Sequence, residues 1–462
     1  MKNRRTSTLA AAGLAFWLQL ASSDAAASGF GVSSFGGELG SVVGANPTAI
    51  YHNPGALGFS GTQLMMDAVM ALRSSYWTHP QSQGDVPEPP GFEGANYGTA
   101  HSFLAAGGPQ FGASVQLGER LVLGGGVYIP FGGSSLSYDR VERFENSMYP
   151  GAADGVARWH GYEASMRFLY GTLGAAVRFG PLSIGATFNL ISSSLSRNGA
   201  LTSAGTTDLT REQRVYFEGS EMLASFAVGA LWEVVPDKLW LGASYQAQPG
   251  LGEISMDGTY TLDATINVMD ATRTDNVTIF MAMPDIIKAG VRFKVSRPVE
   301  LRLTGSFTRW SVNQTSCIGL RDMPCTVTQD GGPAPGSGAI KVLRRNWNDT
   351  LGVHGGLSYL ITPGFEAFAG LGYEQGAVSD ATLDPLTADA NNFTFALGGR
   401  ARLFETWFVA LSYNHTQFLP RDNTGKSDLA NPAIRITSRG VDGGGKYETW
   451  FATINLNVAK TF

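Results

Sequence analysis

No run of the roughly 18 apolar residues that a spanning helix needs occurs beyond position 28, so the chain does not cross a membrane by helices. Charge is scarce as well. Lys, Arg, Asp and Glu make up 15% of the 462 residues, below the ~25% typical of soluble domains. Net charge is −5, which excludes the basic footprint of a nucleic-acid binder. The six histidines form no HExxH or zinc spacing, and no P-loop or dinucleotide fingerprint is present, so no cofactor or metal is expected. A nucleophile and a histidine assembled from separate strands would leave no such trace, so a lipid hydrolase stays open as a minor alternative. Cysteine is nearly absent: Cys317 and Cys325 stand close together in a Gly/Pro-rich segment, and a loop disulfide is the reading favoured over a metal site.

What is present is glycine, 59 residues of it, and alternation. In the last segment, Trp450, Ala452, Ile454, Leu456, Val458 and Phe462 occupy even positions, while Thr449, Thr453, Asn455, Asn457 and Thr461 occupy odd ones. A strand turns successive side chains to opposite faces, so this one has an apolar and a polar face. A soluble sandwich strand would show the same, but the pattern repeats. Fourteen segments carry it, at about 62–77, 104–117, 121–131, 163–179, 182–195, 215–235, 239–250, 277–295, 299–312, 347–360, 365–375, 392–403, 407–418 and 447–462. Short turns such as Gly180-Pro181 alternate with long connections such as 132–162 and 313–346. That asymmetry, with a mean hydropathy near zero, fits an all-β, fourteen-stranded antiparallel transmembrane barrel with both termini on the short-turn, periplasmic side. Charges sit on one strand parity (Lys288, Arg292, Arg302, Arg400), which must be the lumen, because Arg or Lys facing lipid costs ~2–4 kcal/mol at the midplane.

The N-terminus reads as a secretory signal over 1–27: basic Lys2, Arg4 and Arg5, an apolar core from Leu9 to Leu20, and small residues at Ala25-Ala26-Ala27. Residues 28–61 are not strand. Asn46-Pro47 predicts a helix start, and Asn53-Pro54-Gly55 a turn that ends it. This segment is too short for a core of its own and must sit inside the barrel of 62–462. On the lumen parity stand Met65, Val69, Val122, Tyr128, Met166, Phe168, Tyr170, Trp240, Phe368 and Phe408, where a diffusion porin would be polar. They line a ligand path or pack on the N-terminal segment. Residues Val141, Phe144 and Met148 have the spacing of a short amphipathic helix in the 132–162 connection, but solvated loop is the more common explanation of such a spacing and the reading favoured here.

Several stretches resemble the long-chain fatty-acid transporter (FadL-type) family of Gram-negative outer membranes, which includes aromatic-hydrocarbon channels. They are Ser28-Gly29-Phe30, Ala49-Ile50-Tyr51-His52-Asn53-Pro54-Gly55-Ala56-Leu57, and Gly124-Gly125-Gly126-Val127-Tyr128-Ile129-Pro130-Phe131-Gly132. Met283-Pro284, Trp310-Ser311, and Asp380 to Asp389 follow in the family's order, so the similarity spans the mature chain. Gly55-Ala56 departs from the usual Ala-Gly, and Asn46-Pro47 stands where members carry acidic residues. The resemblance implies a barrel plugged by an N-terminal hatch around Asn53, Pro54 and Gly55, outer loops that catch hydrophobic molecules, and a kinked third strand that opens the wall sideways. For that opening Gly124, Gly125, Gly126 and Pro130 are the candidates, since Gly lacks packing and Pro lacks a ladder donor; close approach of hatch backbone explains the glycines otherwise. Arg143, Arg158, Arg344, Lys341 and Arg345 are candidates to hold a carboxylate head, and contact with lipopolysaccharide phosphates accounts for them equally. The expected partners are a hydrophobic ligand, membrane lipid and the barrel-assembly machinery acting on Phe462. A monomer is expected, and a plugged adhesive barrel is the rival reading.

Overall fold

The computed structural model describes residues 35–81, 85–145, 148–202, 204–263, 272–328, 332–430 and 440–462. The expected signal segment and Ser28-Gly29-Phe30 lie outside the described residues. The chain begins its sheet as an antiparallel meander of β1 (Gln63–His79), β2 (Gly98–Leu117), β3 (Leu121–Ser137), β4 (Glu163–Phe179), β5 (Leu182–Leu201), β6 (Gln213–Val235) and β7 (Leu239–Gln246). On the long-loop side, β8 (Glu253–Asp263) pairs with the first residues of β6 and with β9 (Arg273–Ala282). The meander resumes with β10 (Ile286–Lys294), which pairs with β7 and with β11 (Val299–Thr308). A second hairpin, β12 (Thr315–Leu320) and β13 (Ala339–Arg344), joins β9. Then follow β14 (Thr350–Thr362), β15 (Phe365–Glu374), β16 (Asn392–Arg402), β17 (Trp407–Phe418), the two-residue β18 (Arg421–Asp422) and β19 (Lys446–Thr461). β19 closes on β1 from Gln63 opposite Thr461 to Thr78 opposite Lys446. The ring of β1 to β7, β10, β11, β14 to β17 and β19 is a closed fourteen-stranded antiparallel barrel.

Alternation decides which face looks out. Leu173, Phe188, Leu371 and Leu456 are exposed on the outside, while Thr453, Asn455 and Asn457 on the odd parity of β19 are buried toward the lumen. An apolar exterior with a polar interior row is the pattern of a barrel in lipid. One expectation is corrected. The segment 277–295 is not one strand: Pro284 has no N–H to donate, and the chain breaks between β9, which serves the outer hairpins, and β10, which serves the ring. The 132–162 connection holds no amphipathic helix. β3 runs to Ser137 and three 3₁₀ turns follow, with Phe144 buried against Phe92 at a 5.5 Å ring separation and Met148 exposed. Cys317 and Cys325 form a disulfide that ties β12 to the turn after it.

The N-terminal segment crosses the inside of the ring. Its turn at Gly37–Leu39 contacts β15 to β17, and its turn at Pro54–Phe59 contacts β3 to β7, on the far wall. Between them stands one helical turn, Ala49–His52. Asn46 caps the turn that leads into it, as expected: its Oδ1 accepts from the Thr48 N–H at 2.9 Å and its carbonyl from the Ala49 N–H at 3.0 Å, with Pro47 between them. Asn53 begins the second turn, with Oδ1 accepting from the Gly55 N–H at 3.0 Å and Nδ2 donating to the carbonyls of Val42 and Ala230 at 2.7 and 2.9 Å. That one side chain stitches the segment to itself and to β6. Contact there is backbone to backbone. A Cβ on Gly185 would lie 2.3 Å from the Pro54 carbonyl oxygen, and one on Gly55 would lie 2.5 Å from Ala230 Cα. Gly185→Ala is therefore expected to push the segment off β5, destabilising the fold by ~1–3 kcal/mol. It should also raise ion conductance of the protein in planar bilayers, and unchanged conductance would refute this seating.

Candidate functional site

At the long-loop end of the lumen, above the N-terminal segment, lies a cavity of about 330 Å³. Its walls are apolar: Leu136 at the end of β3, Leu195 on β5, Val215 and Phe217 on β6, and Ile340 on β13. Its roof is the 376–391 connection, which contributes Leu386. The roof is pinned by its own polar groups. Asp384 Oδ1 accepts from the amides of Leu386 and Thr387 at 2.9 Å, Tyr138 donates its hydroxyl to the Pro385 carbonyl at 2.9 Å, and Asp389 accepts from the Ala377 amide at 2.5 Å.

Four cationic side chains reach this apolar space: Arg73, Arg197, Lys341 and Arg345. Only one carboxylate, Asp384, joins them, at 3.8 Å from Arg345 Nη1. Arg197 stands over the Phe217 ring at 5.8 Å, and its buried Nε finds no hydrogen-bond acceptor. Lys341, on the hairpin beyond the ring, has its pKa drawn down to about 8, first by burial and then by the charge of Arg197. The site is thus a pocket with greasy walls and a surplus of positive charge.

The candidates read from the sequence divide. Met166 lines the cavity. Tyr128 and Tyr170 stack at 5.6 Å deeper in the lumen, and Tyr128 meets Phe35 and Tyr51 of the N-terminal segment at 5.3 Å each. Phe168, Met65 and Phe368 are buried outside the cavity lining, Val69 and Phe408 are half-buried, and Trp240 lies 3.9 Å under the Arg292 guanidinium. Three of the basic candidates are engaged elsewhere. Arg143 donates to the Glu93 carbonyl at 2.7 Å, and Arg344 lies 3.6 Å from Asp428. Arg158 is fully buried, gives Nε to both Glu212 carboxylate oxygens at 3.0 and 3.1 Å, and fills its Nη groups with Ala95, Gly155 and Asn96. Arg73, Arg197 and Leu195 were missed: Arg73 lies on a strand whose parity was legible, whereas Arg197 falls beyond the 182–195 segment, in the part of β5 read as a connection.

The wall beside the cavity is incomplete. The β2–β3 ladder ends at Phe111 opposite Val127. Beyond it, Gly98–Gln110 pairs only with β1, and Tyr128–Ser137 pairs only with β4, through register shifts at Tyr128/Phe131 and Gly132/Ser134. The two chains meet again where the Asp139 amide donates to the His101 carbonyl at 2.8 Å. A window results, with Pro109 on one edge and Pro130 on the other. Gly124, Gly125 and Gly126 are not part of it: all three pair on both sides, with Ser114, Ala113 and Gly112 and with Gly174, Leu173 and Thr172. They make room instead. A Cβ on Gly126 would lie 2.5 Å from Ile50 Cδ1, and one on Gly124 would lie 2.9 Å from Leu57 Cδ1.

The sequence model of the outer membrane protein transport protein family (OMPP1/FadL/TodX) matches residues 6–420. The chain belongs to this family. It is an outer-membrane protein of the hydrophobic-compound transporters, whose members are channels and not enzymes. No curated protein matches it in sequence. Among solved structures it is similar to a FadL homologue of Pseudomonas aeruginosa, at 16% identity over 95% of this chain and 98% of that one, with a TM-score of 0.71. It is also similar to the toluene transporters TbuX of Ralstonia pickettii (15% identity, 90% and 94% covered, TM-score 0.60) and TodX of Pseudomonas putida (15%, 94% and 96%, 0.59). At such identities the likeness to each structure speaks for the fold.

The separation of Arg158 from the cavity charges has a direct test. Arg158→Met leaves Glu212 buried without its counter-charge, so the outer loops are expected to lose ~3–5 kcal/mol of local stability. Faster proteolytic nicking of the loops at 86–97 and 202–212 would register that loss. A binding constant for a carboxylate amphiphile unchanged within about twofold is expected at the same time, since Arg158 makes no part of the pocket.

Proposed function

We propose that this family member takes up long-chain amphiphiles with an anionic head, of which fatty acids are the simplest. The observation that carries the reading is the charge of the cavity. Arg197, Lys341 and Arg345 face an apolar space with Asp384 as the one opposing carboxylate. An acyl chain gains ~0.8 kcal/mol per methylene on leaving water, and a charge-assisted hydrogen bond to the head adds ~1.5–3 kcal/mol. Toluene, the cargo of the TbuX and TodX transporters, would draw on the walls alone and gain nothing from the cations.

In this reading the outer loops deliver the ligand to the cavity, and the segment around Asn53, Pro54 and Gly55 is the hatch that denies it an aqueous path to the periplasm. The β2–β3 window, with Pro130 at its edge, is the exit into the bilayer. Passage sideways spares the acyl chain a return to water, which for a long chain would cost well over 5 kcal/mol. The exposed C-terminal Phe462 is assigned to recognition by the assembly machinery.

Binding of oleate and of oleyl alcohol to the purified protein separates the two ligand classes. Oleate is expected to bind about tenfold tighter at pH 7, and Lys341→Met should remove most of that preference. The pH dependence has a fixed sign. A bound carboxylate favours protonated Lys341 and raises its pKa above the free value of about 8, so oleate affinity should fall as pH climbs from 8 toward 10. The fall should vanish in Lys341→Met. Equal affinity for acid and alcohol would overturn the reading.

A further inference from the structure

The cavity holds one cation that the headgroup cluster does not use. Arg73 comes from β1, across the lumen from the β5 and β13 walls that supply Arg197 and Lys341. It points inward in a row with Ala71, Ser75 and Trp77, and only 4% of it is exposed. Among the described residues it has no ion pair. Its Nε donates to Ser75 Oγ at 3.1 Å, the one hydrogen bond its side chain makes among the described residues, and that side chain lines the cavity. Asp389, whose charge reaches Arg73, turns Oδ2 to the amides of Ala377 and Val378. Tyr138 gives its hydroxyl to the Pro385 carbonyl. A buried guanidinium normally carries partners on all its faces, because taking its charge out of water costs several kcal/mol. Here the fork opens into the cavity.

Its place on the wall matters more than its charge. Arg73 lies opposite Leu104, inside the Gly98–Gln110 stretch of β2 that has no partner on β3. One strand therefore separates it from the window. Leu136, a cavity wall, belongs to the Tyr128–Ser137 stretch that forms the other edge. The cavity thus runs from the Arg197 and Lys341 side to the window, with a cation at each end.

Building on the proposed function, we infer that Arg73 is a second anion station, which receives the ligand's carboxylate after the Arg197–Lys341 cluster and holds it beside the β2–β3 window while the acyl chain leaves through the wall. Arg73 is a positioning residue in this scheme. Capture belongs to the outer cluster, and Arg73 sets the rate at which an anionic head reaches the exit. A neutral head has no use for it.

The test uses full-length protein in the outer membrane of cells that lack their own uptake channel, with labelled oleate and oleyl alcohol as probes. Arg73→Met should slow oleate uptake about fivefold or more while the rate for oleyl alcohol, whose head carries no charge, stays within about twofold of wild type. Arg73→Lys, which keeps the charge, should restore at least about half of the lost rate and also shows that the barrel assembles. Normal oleate uptake in Arg73→Met, equal loss for acid and alcohol, or failure of the Lys variant to rescue would each overturn the assignment. If the wild-type protein shows no preference for oleate over the alcohol, the proposed function itself fails. If the preference stands and Arg73→Met transports oleate normally, only the role of Arg73 falls.

Discussion

A strand edge has no solvent partner inside hydrocarbon, and this constraint governs everything else in the molecule. Each unpaired N–H or C=O there costs several kcal/mol, so a sheet in lipid must close on itself. Closure is achieved by the sixteen-residue pairing of β1 with β19, which brings Gln63 to Thr461 and Thr78 to Lys446. Against that background the β2–β3 interruption stands out. It is bounded below by Phe111 and Val127 and above by His101 and Asp139, so it is an internal gap in the ladder and not a frayed end. Prolines at 109 and 130 reduce the number of donors left without a partner on its two edges.

The same economy of backbone contact shapes the interior. Gly185, Gly126 and Gly124 face the N-terminal segment, and a methyl group at any of them would meet it at under 3 Å. Polar stitches then hold what packing brings close. Asp67 Oδ2 accepts from the Gly36 amide at 2.7 Å and from Asn455 Nδ2 at 3.0 Å, Arg302 donates to the Glu38 carbonyl at 2.8 Å, and Asn53 reaches Ala230. These bonds join the segment to β1, β6 and β11, strands spread around the ring, and Asn455 of β19 braces the Asp67 carboxylate. Movement of the segment must break several of them together.

Period-two alternation made the ring legible, because one lipid-facing parity and one lumen-facing parity leave a signal in every strand, from Leu182 to Leu190 as clearly as from Trp450 to Val458. It failed at 277–295 for a physical reason. Parity continues across Met283-Pro284, but pairing partners do not, and only the missing donor of Pro284 hints at the change. The β8–β9 and β12–β13 hairpins escaped because they are short and lie in segments that look like loops by composition. The apolar lumen residues were identified as buried, yet Tyr128 and Tyr170 serve the N-terminal segment, while Leu386 and Ile340 serve the cavity from connections that carry no periodic signal at all. Charge was harder still. Arg158 and Arg345 are both basic residues near long loops, and nothing in their local sequence tells that one is enclosed by Glu212, Asn96 and two backbone carbonyls while the other borders an apolar space.

That contrast explains why the family's breadth of cargo need not involve its fold. The wall, the window and the plug are set by the closure constraint and by backbone contact, which leave little room for variation. The cavity is set by side chains at the long-loop ends of ring strands β1 and β3 to β6, together with those of the outer hairpin β12–β13 and the loops. Arg197 on the upper end of β5, Lys341 on β13 and Arg345 just after it can change without disturbing a single ladder bond of the ring. Neutral replacements there would leave the same barrel with a purely apolar pocket, matched to hydrocarbons. The present residues instead give the pocket more cations than carboxylates among the described residues, a property of side chains and not of the ladder that closes the barrel.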